Sequence, residues 1–349
     1  MSSKGSLRRL QRVGRATYSI SLPKDWVARK GLRPGDLLEI LEEPDGGLKI
    51  APLKAASQKP AYTINVELCK VSGQLSRLIK ACYRRGCERI ELVAISGLKS
   101  ERITEAVEAV ESLPGLEVIE QTDKRILIQG VLDPSMFSVE DLLRREQLMV
   151  STIFHQISEF TMSRSYELIK SIKDLRKRVH QVNQLIKRLG LAYLQRRGRG
   201  ERLSLRSPIH AYQALGVAQH MENLARSLER IGEELLSLSR KKIRLDREVA
   251  RALRERVEEA LTIFERSIAA FLSANFDQSM NAISEAEKIS IQGLEKAYIG
   301  RVVERPELLA ALTRVEQALI KVVSESSEIA EKAFDLFIEK ETPLCMLKQ

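Results

Sequence analysis

The sequence has no stretch that could span a bilayer. Its longest uncharged runs, Ser207 to Met221 and Gln147 to Ser158, fall short of the roughly 18–20 apolar residues required, and both contain polar side chains. No membrane insertion is expected. Behind Met1-Ser-Ser-Lys-Gly-Ser6 there is no apolar segment of the secretory kind, so a cytoplasmic location is expected. Cysteine is scarce. Cys69, Cys82, Cys87 and Cys345 are too few and too irregular for a disulfide framework, and Cys82-x4-Cys87 lacks a second pair at zinc-site spacing. They read as reduced packing thiols. The four histidines, His155, His180, His210 and His220, form neither an HxH nor an HExxH pair. A GxxxxGK phosphate loop, a GxSxG elbow and a GxGxxG turn are all absent, and Gly198-Arg-Gly200 follows no strand, so hydrolase and kinase readings lose their usual support. Only 18 glycines and 10 prolines occur, which excludes collagen-like or low-complexity character.

What is present is a chain of 349 residues, 44% hydrophobic and 30% charged, too long for one ordinary core and sufficient for two or three domains. The net charge of +10 is unevenly placed. Residues 1–34 hold nine Lys or Arg against Asp25 alone, and residues 170–206 hold twelve against Asp174 and Glu201, which leaves the remainder net acidic. In the longer stretch the charge reads as a solvated helix face and loop. In the first it interrupts a strand-like pattern inside a small folded module, where fixed cations can neutralise several phosphates and release their counterions.

That module runs from Ser6 to Leu53. Thr17 to Leu22 alternates, Pro23 to Lys30 reads as a short helix closed by Gly31, and Leu37–Leu41 and Leu48–Ala51 form a hairpin around Pro44-Asp-Gly-Gly47. Four short strands and one helix make a very small core, which pairing with a second copy would stabilise. The strings Leu7-Arg-Arg-Leu-Gln-Arg-Val-Gly-Arg15, Ser19-Ile-Ser-Leu-Pro-Lys-Asp-Trp-Val27 and Gly31-Leu-Arg-Pro-Gly-Asp-Leu-Leu-Glu-Ile40, in that order, resemble the SpoVT/AbrB family. The resemblance implies a swapped-hairpin β-barrel formed by an intertwined homodimer that grips double-stranded DNA. By position it implies Arg8, Arg9, Arg12, Arg15 and Lys24 as the contacts. The segment Ala16 to Leu22 is longer than the family's gap before its proline, which shifts the register of individual contacts.

Residues 53–61 read as a linker. From 61 to 132 the chain alternates strand (62–68), helix (73–83), strand (89–94), helix (100–112) and two strands (116–121, 125–129), a small α/β domain with both helices on one face of its sheet. It carries no recognisable chemistry and reads as a connecting or dimer-contact domain. After Asp133-Pro134, with Ser138-x-x-Asp141 as a cap, apolar spacings of four and three recur. They run through Leu175, Val179, Val182, Ile186 and Leu189; through Val217, Met221, Leu224, Leu228, Ile231, Leu235 and Leu238; and through Leu312, Val315, Leu319, Val322, Ile329, Ala333 and Leu336. Residues 138–340 are therefore expected to form a bundle of about six long helices in two three-helix repeats, about 140–239 and 245–340. The fold class is multidomain α+β.

The string Leu228-Glu-Arg-Ile-Gly-Glu-Glu-Leu235 resembles the signature helix of PhoU, a phosphate-signalling adaptor family of two three-helix repeats that bind metal through paired acids. The order of parts resembles archaeal-type phosphate uptake regulators. Glu229 and Glu233, one helical turn apart, are the candidate ligands for a divalent or ferric ion. Where the resemblance implies the partner helix's acidic pair, however, stand Arg176 and His180, and an arginine opposite a glutamate favours an ion pair. No cofactor is expected otherwise, and no nucleophile–base set stands out for an enzyme. Two functional readings follow. In the first, a DNA-binding regulator of phosphate uptake carries a bundle that receives the phosphate signal. In the second, an adaptor acts on a phosphate-transporter ATPase or a sensor protein by contact, and its basic module only dimerises. The basic loop Arg196-Arg-Gly-Arg199 fits either a phosphate contact or a solvated connector.

Overall fold

The computed structural model describes residues 7–15, 17–42, 46–52, 61–133, 136–163, 165–195, 203–292 and 305–338, apart from the side chains of 41 and 290–292. Residues 44 and 45 of the 44–47 turn, the 53–60 linker, the Arg196–Arg199 loop and Cys345 lie outside them. The chain divides into two units, Met1–Lys59 and Pro60–Gln349.

In the first unit, β1 (Gln11–Val13) pairs antiparallel with β2 (Thr17–Ser19), and β3 (Leu38–Glu42) with β4 (Leu48–Pro52). Between them lies α1 (Lys24–Arg29). The Pro23 carbonyl accepts from the N–H groups of Trp26 and Val27, and Gly31, at φ +62°, ends the helix as only a residue tolerant of the left-handed region can. The expected closed barrel is not formed within one chain: the four strands make two separate two-stranded sheets. A lone hairpin is marginal in water, and among the described residues of this unit no further strand joins either sheet.

In the second unit a four-stranded sheet has the order β5-β6-β8-β7, with β5 (Ala61–Asn65) parallel to β6 (Arg89–Val93) and β8 (Arg125–Gly130) antiparallel to both β6 and β7 (Leu116–Gln121). The expected strand at 62–68 is shorter, because Asn65 Oδ1 accepts from the Glu67 N–H and turns Val66–Leu68 into one 3-10 turn. Helices α2 (Gln74–Arg84) and α3 (Ser100–Glu111) pack their buried Leu75, Ile79, Ala106 and Val110 on Ile64, Ile90, Leu92, Ile126 and Ile128. On the opposite face Arg125 pairs with Glu91 and Glu120.

The bundle follows, with α4 (Val139–Ser163), α5 (Tyr166–Leu194), α6 (Pro208–Arg240), α7 (Arg247–Ser273), α8 (Phe276–Gln292) and α9 (Pro306–Ile338). Ser138 Oγ accepts the Asp141 N–H at 3.1 Å at the start of α4, and Ser207 Oγ accepts the His210 N–H at 2.9 Å at the start of α6. Helices α4, α5 and α6 pack on one another, as do α7, α8 and α9, and the two triplets meet along α6–α9 and α4–α7. The apolar stripes of α5, α6 and α9 all enter one continuous core.

The α/β layer is pinned to the bundle where α2 meets α5. Buried Arg188 donates to the Cys87 carbonyl at 3.2 Å and the Tyr83 carbonyl at 3.5 Å, with its guanidinium carbon 4.7 Å from the Tyr83 ring centre. Nearby, Arg84 donates to Gln184 and Gln181 to the Glu111 carbonyl.

Candidate functional site

Alternation in a strand ordinarily sends every second side chain into a core. In the first unit it does not. Leu37 is 72% exposed, Ile40 61% and Leu48 68%, and Leu10, Val13, Tyr18 and Ile20 are exposed as well. Burying one such side chain fully stabilises a fold by about 1.5–3 kcal/mol, so this set is a large unclaimed driving force. The described strands of this unit do not cover it.

On this scaffold the sequence-predicted cations are all exposed: Arg8, Arg9, Arg12, Arg15 and Lys24. None of the five makes an ion pair with a described residue. Arg12 stands opposite Tyr18 in the ladder, and its guanidinium donates to the Arg15 carbonyl at 2.8 Å, clipping the turn that begins at Gly14, φ +73°. Arg8 and Arg9 precede β1, Arg15 sits in the turn, and Lys24 opens α1. The arrangement offers several unpaired cations on short, hydrogen-bonded elements, which is what phosphate neutralisation requires and what a charge-paired solvated face lacks.

The second basic stretch is used differently. Lys173 pairs with Glu233 at 2.8 Å, Arg176 with Glu229 at 3.3 Å and Lys187 with Glu222 at 3.5 Å, while Arg188 is buried against the α/β layer. Glu229 and Glu233 do share a helix face, yet what faces them is a guanidinium and an ammonium group. Burial pushes the Glu229 carboxyl above its usual range, opposed by Arg176, whereas bound metal demands ionised oxygen donors. The pair does not fit a metal ion. Among the described residues no three His, Cys, Asp or Glu side chains converge as such a site would require.

One polar cluster escaped the sequence reading. Glu146, on α4, is wholly buried, and among the described residues neither carboxylate oxygen has a hydrogen bond of good geometry, although the Asn183 amide acts on the carboxyl. Burial first, and the charge of Glu222 second, push its carboxyl well above the usual range. Around it lie buried Asn183, which donates to the Ala218 carbonyl at 2.6 Å, and Lys187, which donates to Gln219 Oε1 at 2.7 Å. Glu222 accepts from His180 Nδ1 at 2.7 Å. Although burial works against it, His180, Lys187 and Arg226 hold the Glu222 carboxyl below its usual range. The signal was available: Glu146 sits in the α4 seam between buried Leu143 and Val150, where a carboxyl is out of pattern. Burial therefore favours the protonated form of this carboxyl more than it would for an exposed one.

The comparisons bear on the first unit. Residues 11–58 match a family described as "Antidote-toxin recognition MazE, bacterial antitoxin". No curated protein and no solved structure matches the chain. The matched segment begins at β1 and takes in both hairpins and α1, which supports an amino-terminal module of the MazE/SpoVT-AbrB type. Domains of this type typically dimerise and bind DNA, in keeping with the exposed apolar set and the unpaired arginines.

Proposed function

We propose that the chain is a homodimeric, DNA-binding transcriptional regulator of phosphate uptake that works in the cytoplasm and has no catalytic activity of its own. The observation that carries the DNA-binding part is the set of exposed cations Arg8, Arg9, Arg12, Arg15 and Lys24, without ion pairs among the described residues, on a module that also exposes Leu37, Ile40 and Leu48. Two modules brought together present two such sets to one duplex. Clustered guanidinium groups on a β scaffold can read groove width as well as base edges. The phosphate part rests on the PhoU-like string Leu228 to Leu235 and on the two helix triplets, which support a bundle that receives the phosphate-status signal.

A second reading makes the chain an adaptor that controls a phosphate transporter or its sensor by contact. It is favoured by the exposed apolar set alone, which accounts for dimerisation without any DNA. The description of the matching family as an antitoxin likewise allows a module that engages protein. One experiment separates the readings. Genomic fragments that co-purify with the protein are sequenced after phosphate-rich and phosphate-poor growth. Salt-sensitive enrichment upstream of phosphate-transport genes, changing with phosphate supply, is the expected result. Absence of enriched DNA with a transporter ATPase or sensor retained instead would replace the regulator by the adaptor.

A further inference from the structure

The turn that ends α2 has chemistry the function above does not use. Arg84 is the last helical residue, Arg85 the cap, and Gly86 adopts φ +80°. The Gly86 N–H donates to the Tyr83 carbonyl at 2.9 Å and the Cys87 N–H to the Cys82 carbonyl at 3.1 Å. These two bonds define a Schellman ending, whose geometry brings the side chains flanking the turn into contact. At the equivalent turn of α1, where Leu32 N–H returns to the Val27 carbonyl, those side chains are Val27 and Leu32. At α2 they are two free thiols, Cys82 and Cys87, which this helix ending sets side by side. Cys82 is partly exposed and Cys87 fully buried beneath it.

The geometry points to a redox modification site: Cys82 is a peroxide-reactive thiol and Cys87 its resolving partner, and together they close a reversible intrachain disulfide across this turn. In the first step the Cys82 thiolate attacks hydrogen peroxide. An S–O bond forms, the O–O bond breaks, and the departing hydroxide takes a proton and leaves as water, giving a sulfenic acid. In the second step Cys87 gives up its proton and attacks the Cys82 sulfur. The S–S bond forms, the S–O bond breaks, and a second water leaves. One peroxide is thus reduced to two waters while two thiols become one disulfide, which a thiol reductant reverses.

The environment favours this order of events. The Cys87 contact and the Arg85 charge lower the Cys82 thiol to about 7 against desolvation, while the same contact and burial push Cys87 up. At pH 7 the gain in thiolate over an ordinary cysteine, offset by lower intrinsic nucleophilicity, makes Cys82 about fivefold faster toward peroxide. Cys69, buried elsewhere in the α/β layer and raised by desolvation, supplies an internal contrast. The site also has a reader: the Tyr83 and Cys87 carbonyls within this turn accept the buried Arg188 guanidinium from the bundle, so locking the turn acts on the contact between layer and bundle.

The test uses the full chain, reduced and desalted, exposed to stoichiometric hydrogen peroxide at pH 7, alkylated without reductant and digested with trypsin. The expected product is the pair Ala81-Cys82-Tyr83-Arg84 and Gly86-Cys87-Glu88-Arg89 joined by a disulfide and lost on reduction, while Cys69 remains alkylated. With Cys87→Ser, a dimedone adduct is expected on Cys82; with Cys82→Ser, none on Cys87. Far-UV circular dichroism shows that both variants keep their helices. The proposal is overturned if both thiols stay open to alkylation in the parent chain and Cys87→Ser gives no adduct. It is equally overturned if Cys69 oxidises as fast as Cys82, or if Cys82 links preferentially to another chain.

Discussion

The first unit and the helical bundle follow the same rule of pattern and end with opposite results. In α6 the four-and-three spacing of Val217, Met221, Leu224 and Leu228 sends each side chain to zero exposure. In β3 and β4 the strand alternation is as regular, with Ile40 opposite Ile50, and yet Ile40 and Leu48 stay mostly in water. Pattern tells which side chains seek burial; only the number of elements available tells whether one chain can provide it. Six long helices enclose a core. Two hairpins and a six-residue helix do not, and on the function proposed above the same hydrophobic drive is spent between chains and fixes oligomeric state.

The strongest way to break this comparison is to make the first unit's apolar face repel itself. Ile40→Asp with Leu48→Asp should abolish dimerisation, with light scattering returning the monomer mass, and should eliminate measurable DNA retention by removing the second set of cations. Far-UV circular dichroism should be unchanged, because the bundle has its own core. A dimer that survives this change would move the interface elsewhere. The converse perturbation is Phe264→Ala. Phe264 is fully buried and stacked on Phe154 with ring centres 5.9 Å apart, so chemical denaturation of the helical signal should show a loss of about 3–5 kcal/mol. Dimer and DNA binding should persist under native conditions, since neither belongs to that core.

The cations sharpen the comparison further. Arg8→Ala, Arg9→Ala and Arg15→Ala together should weaken DNA binding about 100-fold, or about 2.7 kcal/mol, at moderate salt. The slope of log affinity against log salt should become shallower by up to about 2.7 for each protomer in contact. Changing Arg176 and Lys173 to Ala should leave that slope alone, because those cations already face Glu229 and Glu233. If the two sets behave alike, charge placement is not what distinguishes the units.

Legibility followed the same divide. The stripes of α5, α6 and α9 could be read because helix packing within one chain obeys a period visible in one chain. The 37–51 hairpin, Pro23 and Gly31 could be read because turns and helix ends are local, whereas the pairing of β1 with β2 across Gly14 was not read. That the four strands stay in two separate sheets could not be read, since which strands pair is not written in the pattern of any one of them. Val66–Leu68 left the expected strand because a single Asn65 side chain competes for the backbone. Glu146 and the thiol contact of Cys82 with Cys87 were missed for a related reason. A residue's meaning there depends on partners from other helices, or on a turn whose glycine reads only as an end signal.

Glu146 yields a smaller effect with a defined direction. Its carboxyl is pushed well above the usual range by burial and by the Glu222 charge, partly opposed by Lys187 and Asn183. The folded-state value lies above the unfolded 4.5, so the stability this group contributes is fully present below that pH and is lost as pH rises through the folded value. Glu146→Gln cannot ionise. Its denaturation midpoint should therefore lack this decline and overtake the parent in alkaline buffer by about 1–3 kcal/mol. A parent and variant with parallel pH profiles would mean that Glu146 ionises as freely as an exposed carboxyl.

The smallest effect is expected where the sequence suggested a metal. Glu233 and Lys173 are each about half exposed, at 49% and 46% of the side chain, and the Glu229–Arg176 contact is a single one at 3.3 Å. Exposed pairs of this kind contribute about 0–1 kcal/mol. Removing both carboxylates with Glu229→Gln and Glu233→Gln should lower stability by about 1 kcal/mol or less, and elemental analysis of parent and variant should give the same metal content. An ion held by these carboxylates would behave otherwise. Its loss would remove the binding free energy from the folded state, and the melting temperature of the parent alone would fall on chelation. A chelator-sensitive parent beside an insensitive variant would place a cation between α5 and α6 in spite of the arginine and lysine that face it. The bundle would then resemble the first unit in needing something outside its own chain to finish a site.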